Sequence, residues 1–264
     1  MPGSTPPDDK SVNWLLAGLS AEEHDRPLPD PEPVALGLGE ILHRPQEPTR
    51  HVYFPQSGCV VSLFASMEDG SPPEVGSVGV EGMVGVCVFW GVPATPYGAR
   101  VQIPGGATRM NADVLRRALG EVPSLHCVLL RYTHALPVQV AQTAAWNRCH
   151  SLSQRFARWL LISQDRARSD DFPLTHELAA EMLAVRRPGV TEAAARFKRL
   201  GPIRYRRGHV TVLDRRGLEE LACECHRVVR EELERYLTAI VPAPHLRAAL
   251  SMDGFEELVS RYTN

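Results

Sequence analysis

The spacing of apolar positions changes character along the chain. Near the start, Ser11-Val12-Asn13 offers capping residues before Trp14-Leu15-Leu16, and the Pro-rich stretch from Pro27 to Pro33 ends that short helix. From Val34 to about Ile103, apolar residues come in short β-like runs, HVYF at 51–54, CVVSLF at 59–64 and ARVQI at 99–103. Pro55, Gly58, Asp69-Gly70, Gly76, Gly79, Gly82, Gly85 and Gly91 punctuate them. Many short strands at such spacing predict a sandwich or barrel of antiparallel strands.

Helical text follows. Asn111 caps a predicted helix over 112–119, and a long helix is predicted over 124–147. Its apolar positions Leu125, Val128, Leu129, Tyr132, Leu136 and Val140 recur at three- and four-residue steps. Pro137 falls inside this pattern and should kink the helix or reset its start. The stripe suits either the chain's own barrel or the same helix of a second subunit.

A helix from Ser151 to about Arg166 and a polar loop over 168–173 lead into LTHELAAEML. Thr175 can cap a helix there whose inward positions are Leu178, Ala179, Met182 and Leu183. After a tight link, Ala184-Val185-Arg186, a second helix is predicted from Arg187 to Leu200, with Val190, Ala194 and Phe197 inward. Small Ala179 and apolar Val185 suit a close crossing of two helices. Ile203–Tyr205 and Val210–Asp214, joined by Arg206-Arg207-Gly208-His209, read as a β-hairpin. Leu218 to about Tyr236 reads as one more amphipathic helix.

The length of 264 residues allows one large or two ordinary domains. A net charge of −2 hides an uneven layout: residues 146–217 hold fifteen Lys and Arg against seven Asp and Glu, a surplus of +8, so the remainder carries −10. A regional basic surface of this kind suits a polyanion. The start, MPGSTPPDDK, lacks the pattern of a signal peptide, and no apolar run could span a bilayer. The six cysteines are scattered, unlike a disulfide framework. The expectation is a cytoplasmic protein with reduced thiols and no membrane partner.

The run LTHELAAEMLAVRRPGVTEAAARFKRLGPIRYRRGHVTVLD resembles the DNA-binding domain of the Crp/Fnr family of bacterial regulators. Upstream, HVYFPQSGCVVSLF and VGVEGMVGV resemble that family's cyclic-nucleotide-binding-like β-roll, and together the resemblance covers roughly residues 13–225. It implies an α+β fold: an N-terminal antiparallel, jelly-roll-like β-roll, a long dimerisation helix and a C-terminal winged helix-turn-helix. The implied divisions are a disordered N-terminus over 1–12, a sensor over 13–123, the dimerisation helix over 124–147, the winged helix-turn-helix over 148–217 and a helical extension over 218–264. It also assigns the long-helix stripe to a subunit contact.

In that family the second helix enters the major groove, near its N-terminus. The matching positions are Arg186, Arg187, Gly189, Val190, Thr191 and Glu192. Arg187 is the candidate for reading guanine through O6 and N7, and Glu192 is placed either to accept from cytosine N4 or to stay solvated. Thr175, Arg196 and Arg207 are candidates for phosphate contact, which fixes register without reading sequence. The partners implied are double-stranded DNA, a second copy of the chain and RNA polymerase. Pro188 and Gly189 depart from the family's best-known member, so its base preferences do not transfer.

For a ligand in the sensor, Gly79-Val80-Glu81-Gly82 approximates the family's ribose-binding element. Where the cyclic phosphate would be held stands Tyr97-Gly98-Ala99, with Arg100 displaced. Without a guanidinium for the phosphate the pocket around Glu81, Gly82 and Arg100 reads as degenerate, and a cyclic nucleotide is not expected. An iron–sulfur cluster wants about four gathered thiolates, and no cysteine precedes Cys59. Haem on His126 or His134, or another small effector, stays open. Cys223-Glu224-Cys225-His226 invites a metal, but on one continuous helix these neighbours would not share a face, so no metal is assigned. No GxSxG, P-loop, HExxH or glycine fingerprint is present, and His43 with His51 is a thin basis for a cupin-like metalloenzyme. The reading is a non-enzyme; a ligand-sensing β-roll module or a cupin-like enzyme are its rivals.

Overall fold

The computed structural model describes residues 13–19, 30–56, 58–68 and 70–240. The expected disordered segment 1–12, the prolines before residue 30, and the extension beyond 240, with Pro242, Pro244 and the apolar piece 255–259, lie outside these.

A short helix α1, Trp14–Ala17, is capped by Asn13, whose side-chain oxygen accepts from the Leu15 N–H. Seven strands follow: β1 (Glu32–Leu36), β2 (Ile41–His43), β3 (His51–Pro55), β4 (Val60–Ala65), β5 (Glu74–Val78), β6 (Tyr97–Ile103) and β7 (Gly105–Asn111). They form two antiparallel sheets, ordered β1-β7-β3 and β2-β6-β4-β5. Phe54, Val61, Val101 and Met110 are buried between them. Gly98 is where the sheet needs a glycine, because a Cβ there would come 2.4 Å from the Phe64 ring.

Helix α2, Ala112–Glu121, is capped by Asn111 as the sequence predicts. Helix α3 spans Pro123–Cys149, about 40 Å at 1.5 Å per residue. It runs through Pro137 without ending, and Pro137 is exposed. The predicted dimer stripe has a different neighbour. Leu125, Val128, Leu129, Tyr132 and Leu136 are buried in the core of the chain's own β-roll, and of the six only Val140 is exposed. An apolar stripe packs on whichever oily surface is nearest, and the covalently attached sheet supplies it.

Helix α4, Leu152–Ala167, opens with a capping box of Ser151 and Gln154. It is the spine of a second core with Phe172, Leu174, Ala179, Leu183, Val190, Phe197, Ile203, Val210 and Leu218. Phe156 stacks on Phe197 at 5.6 Å. Around it lie β8 (Asp171–Pro173), α5 (His176–Met182), α6 (Arg187–Leu200), β9 (Ile203–Arg206), β10 (His209–Val212) and α7 (Arg215–Leu221). The predicted hairpin is thus a three-stranded sheet, β8-β10-β9; the polar loop expected at 168–173 ends in a short strand paired to β10. The continuous helix expected from Leu218 is broken too. Ala222 is extended (ψ −175°), and α8 restarts at Cys225 and runs to Ile240 against α3. No helix among the described residues is long and apolar enough to cross a membrane.

Candidate nucleic-acid interface

The surface of the second core is organised by α5, α6 and the turn of the hairpin. Thr175 Oγ1 caps α5 by accepting from the Leu178 N–H at 3.1 Å. Tyr205 on β9 donates its hydroxyl to the Leu174 carbonyl at 2.6 Å, and the Leu174 N–H donates to Gly208 O at 2.7 Å. These two bonds seat the hairpin turn beside the start of α5. The His176 ring lies 4.6 Å from that of Tyr205, and His176 Nδ1 is 2.9 Å from Thr191 Oγ1 on α6. Burial, together with the Arg187 charge, lowers the His176 pKa, so the neutral ring is favoured. Burial raises that of Tyr205. Asp171 is held below the usual carboxylate range by the Thr211 hydroxyl.

Arg187 opens α6 with Pro188 in the first turn, where its missing N–H costs no helical bond. The Arg187 guanidinium is exposed and engages Glu177 at 2.8 Å. An exposed ion pair of this kind contributes little stability and exchanges readily for another anion. Arg186, Thr191, Glu192 and Arg196 are exposed on the same helix. Two of the expected contacts are corrected. Val190 is fully buried in the second core and holds α6 in place. Gly189 faces inward as well, since a Cβ there would lie 2.8 Å from Leu152 on α4. These two inward positions and the outward arginine share one helix, and the helical turn sorts them.

The wing turn pairs Arg206 with His209 across Arg207 and Gly208, both left-handed (φ 50° and 77°). Such two-residue turns favour Asn-Gly, and an arginine at the first position is strained. Arg204, Arg206 and Arg207 all project to solvent. Sequence reasoning missed His176, Glu177 and Tyr205, which orient this face; His176 and Glu177 fall within one turn of the Thr175 cap, whereas Tyr205, thirty residues on, carries no such local signal.

The sensor pocket has been filled from inside. Arg166, near the end of α4, donates Nε to Glu81 Oε1 at 2.7 Å, Nη2 to Gln139 Oε1 on α3 at 2.5 Å, and Nη1 to Ser77 Oγ. Glu81 also accepts from the Gly79 N–H at 3.1 Å. Both charged side chains are under a tenth exposed. The cavity left beside them, lined also by Tyr132, Leu136, Val229 and Leu233, is about 20 Å³, room for roughly one water. Gly82 does not line open space; a Cβ there would come 2.6 Å from the Tyr132 hydroxyl. Arg100 is outside the pocket, where it donates to Glu181 of α5 at 2.9 Å. Nothing in the sequence around Arg166 marks it for this role beyond its charge, since Glu81 and Gln139 are distant in sequence.

Residues 154–221 match the family described as the Crp-like helix-turn-helix domain. No curated protein sequence matches the chain. Among solved structures, the fold is similar to FixK2 from Bradyrhizobium japonicum (TM-score 0.62, 17% identity, covering 74% of this chain and 98% of that one). It is also similar to TTHB099, a transcriptional regulator of the CRP family from Thermus thermophilus (TM-score 0.60, 22% identity, 72% and 96% covered). A third likeness is to CLP of Xanthomonas campestris, described as a c-di-GMP responsive global regulator (TM-score 0.57, 14% identity, 73% and 99% covered). Residues 154–221 thus carry a Crp-like helix-turn-helix, and the chain shares the fold of those Crp/Fnr-type regulators around it.

Proposed function

We propose that the chain is a homodimeric transcriptional regulator that reads a pseudo-palindromic DNA site through α6 and works without a cyclic nucleotide. The observation that carries the reading is the shared exposed face of Thr175, Arg187, Thr191 and the Arg207 turn, drawn together by the Thr191–His176 and Leu174–Gly208 bonds. Arg187 meets base edges, Arg186 and Thr191 flank it, and Thr175, Arg196 and Arg207 hold phosphates. Glu177 keeps the Arg187 guanidinium extended until DNA replaces it. The same domain architecture supports a contact with RNA polymerase and no enzymatic role. Cytoplasmic location follows from a DNA target.

Independence from a cyclic nucleotide is supported by Arg166, which gives Glu81 the partner a ligand would otherwise provide. Dimerisation is supported by the outward face of α3. Cys127, Leu130, His134, Pro137, Ala141, Ala144 and Arg148 recur at alternating three- and four-residue steps and are all exposed. Small Ala141 and Ala144 permit close approach of a second copy of the helix. Leu130→Glu is expected to convert the dimer to monomer in sedimentation velocity with the fold retained, whereas a dimer that persists would move the interface elsewhere.

The direct test is fluorescence anisotropy of the full chain with duplex DNA over a salt series. Log affinity should fall linearly with log salt, with a slope near −0.9 per phosphate neutralised. Failure to bind at low salt, with cyclic nucleotides and haem also tried, sinks the reading. In the same assay Arg207→Asn should lower the slope by about 1. It should at the same time raise stability to urea by a few tenths to about 1 kcal/mol, since Asn tolerates the left-handed turn. A stabilised variant with unchanged DNA binding would remove Arg207 from the interface.

A further inference from the structure

Away from the DNA-facing surface, three ligating side chains meet where the long helix gives way to the winged domain. His150 follows the last residue of α3. Cys223 sits in the extended break after α7, and Cys225 begins α8. That break is what brings two alternate cysteines to one side, which a continuous helix would prevent. His150 Nε2, Cys223 Sγ and Cys225 Sγ all lie within 4.8 Å of one another, and Cys225 Sγ is 3.4 Å from His150 Nε2. Both thiols are free and buried.

A tetrahedral zinc ion, with bonds of about 2.3 Å to sulfur and 2.0–2.1 Å to nitrogen, places its ligand atoms roughly 3.5–3.8 Å apart. One edge of the cluster is already at that length, and the others, within 4.8 Å, need to close by at most about 1 Å, within reach of small side-chain rotations. A second observation points the same way. Arg158, 1% exposed, lies over the Trp146 ring at 4.1 Å, and its charge acts on both Cys223 and Cys225. Its Nε and Nη2 have no hydrogen-bond partner among the described residues. A buried guanidinium with spare N–H groups calls for acceptors, and metal-bound thiolates, richer in electron density than the free thiols, are suited to that role. The neighbouring His226 is engaged elsewhere, with Asp165 at 2.9 Å. Glu224 is exposed, with Oε1 3.8 Å from His150 Nε2, beside the remaining coordination position.

We propose that His150, Cys223 and Cys225 form a site for a thiophilic divalent cation of the zinc class, with water or the Glu224 carboxylate as fourth ligand. Binding forms two metal–sulfur bonds and one metal–nitrogen bond, and each thiol releases its proton to solvent. The ion fastens the end of α3 to the joint between α7 and α8. This assignment is independent of whether the chain binds DNA.

The test is Co²⁺ titration of the reduced, chelator-stripped full chain. One equivalent should produce thiolate-to-cobalt charge-transfer and tetrahedral ligand-field absorption, both abolished by added Zn²⁺. Cys223→Ser and Cys225→Ser should each remove the charge-transfer band or sharply weaken it, and His150→Ala should weaken binding. Cys149→Ser, at an exposed position outside the cluster, should leave it unchanged. Arg158→Gln should lower affinity by about 10–100-fold. Because a serine variant could misfold, the wild-type chain provides a second readout. Zn²⁺ should protect Cys223 and Cys225, and not Cys127 or Cys149, from alkylation read by mass spectrometry. No cobalt spectrum, a spectrum that survives in both Cys223→Ser and Cys225→Ser, protection at the exposed pair instead, or a Cys223–Cys225 disulfide in the native protein would each overturn the proposal.

Discussion

Replacing Arg166 by Met should destabilise the chain by about 3–5 kcal/mol, the loss expected when one partner of a buried ion pair is removed. Glu81 would keep its charge with the Gly79 N–H as its remaining hydrogen-bond donor among the described residues, and Ser77 and Gln139 would each lose a bond. The consequence reaches further than stability. Arg166 belongs to the helix at the head of the winged domain, Glu81 to the β-roll and Gln139 to the long helix, so one guanidinium joins all three. The adjacent seam adds Ser163 Oγ, which accepts from Gln102 Nε2 at 2.8 Å, and the Trp159 indole, which donates to Glu74 at 3.3 Å. Burial pushes the Glu74 carboxyl up, with bonds from Ser62 and Trp159 opposing it. Arg166→Met should therefore also speed proteolysis at the link over 148–151. Glu81→Leu combined with Arg166→Met should recover much of the loss, because the uncompensated charge is gone. Urea unfolding of the single and double variants checks this, and a single variant within about 1 kcal/mol of the parent would make the network peripheral.

Arg187→Ala should cost about 1–3 kcal/mol of discrimination between a preferred duplex and its scrambled counterpart, roughly 5- to 150-fold, while most salt-dependent binding remains. The distinction separates a base contact from a phosphate contact. A phosphate-binding arginine would weaken both duplexes alike and reduce the salt slope by about 1. Glu177→Gln gives the converse. Releasing Arg187 from its 2.8 Å partner should strengthen binding to every duplex by a few tenths to about 1 kcal/mol without changing preference. Parallel losses on both duplexes in Arg187→Ala would reassign base reading to its neighbours on α6.

What the sequence discloses follows the range of the forces involved. Asn13, Asn111, Ser151 and Thr175 are local signals, and each caps the helix expected of it. Strands β3, β4 and β6 carry their own apolar pattern and were legible from it. Strand β8 is three residues long and exists because β10 pairs with it some forty residues later, so nothing in its own composition announces it. The faces of α3 were ambiguous for a different reason: two stripes at similar spacing share the helix. Only the packed tertiary structure shows that the more apolar one meets the β-roll, leaving the stripe through Leu130 and Ala144 outward. In α6, the pattern that buries Val190 could have excluded it from base contact, but the family resemblance drew the whole N-terminal turn into the interface. Arg166 was legible only as a charge, because its partners Glu81 and Gln139 lie 85 and 27 residues away. His150 is likewise distant from the two cysteines it faces.

The most direct test of the account is selection of the full-length chain against a random duplex library at moderate salt without added ligand. The expected result is enrichment of an inverted repeat whose half-site centres lie about one helical turn, roughly 10 bp, apart. Enrichment of no sequence, or of single unpaired sites bound by a monomer, would contradict it.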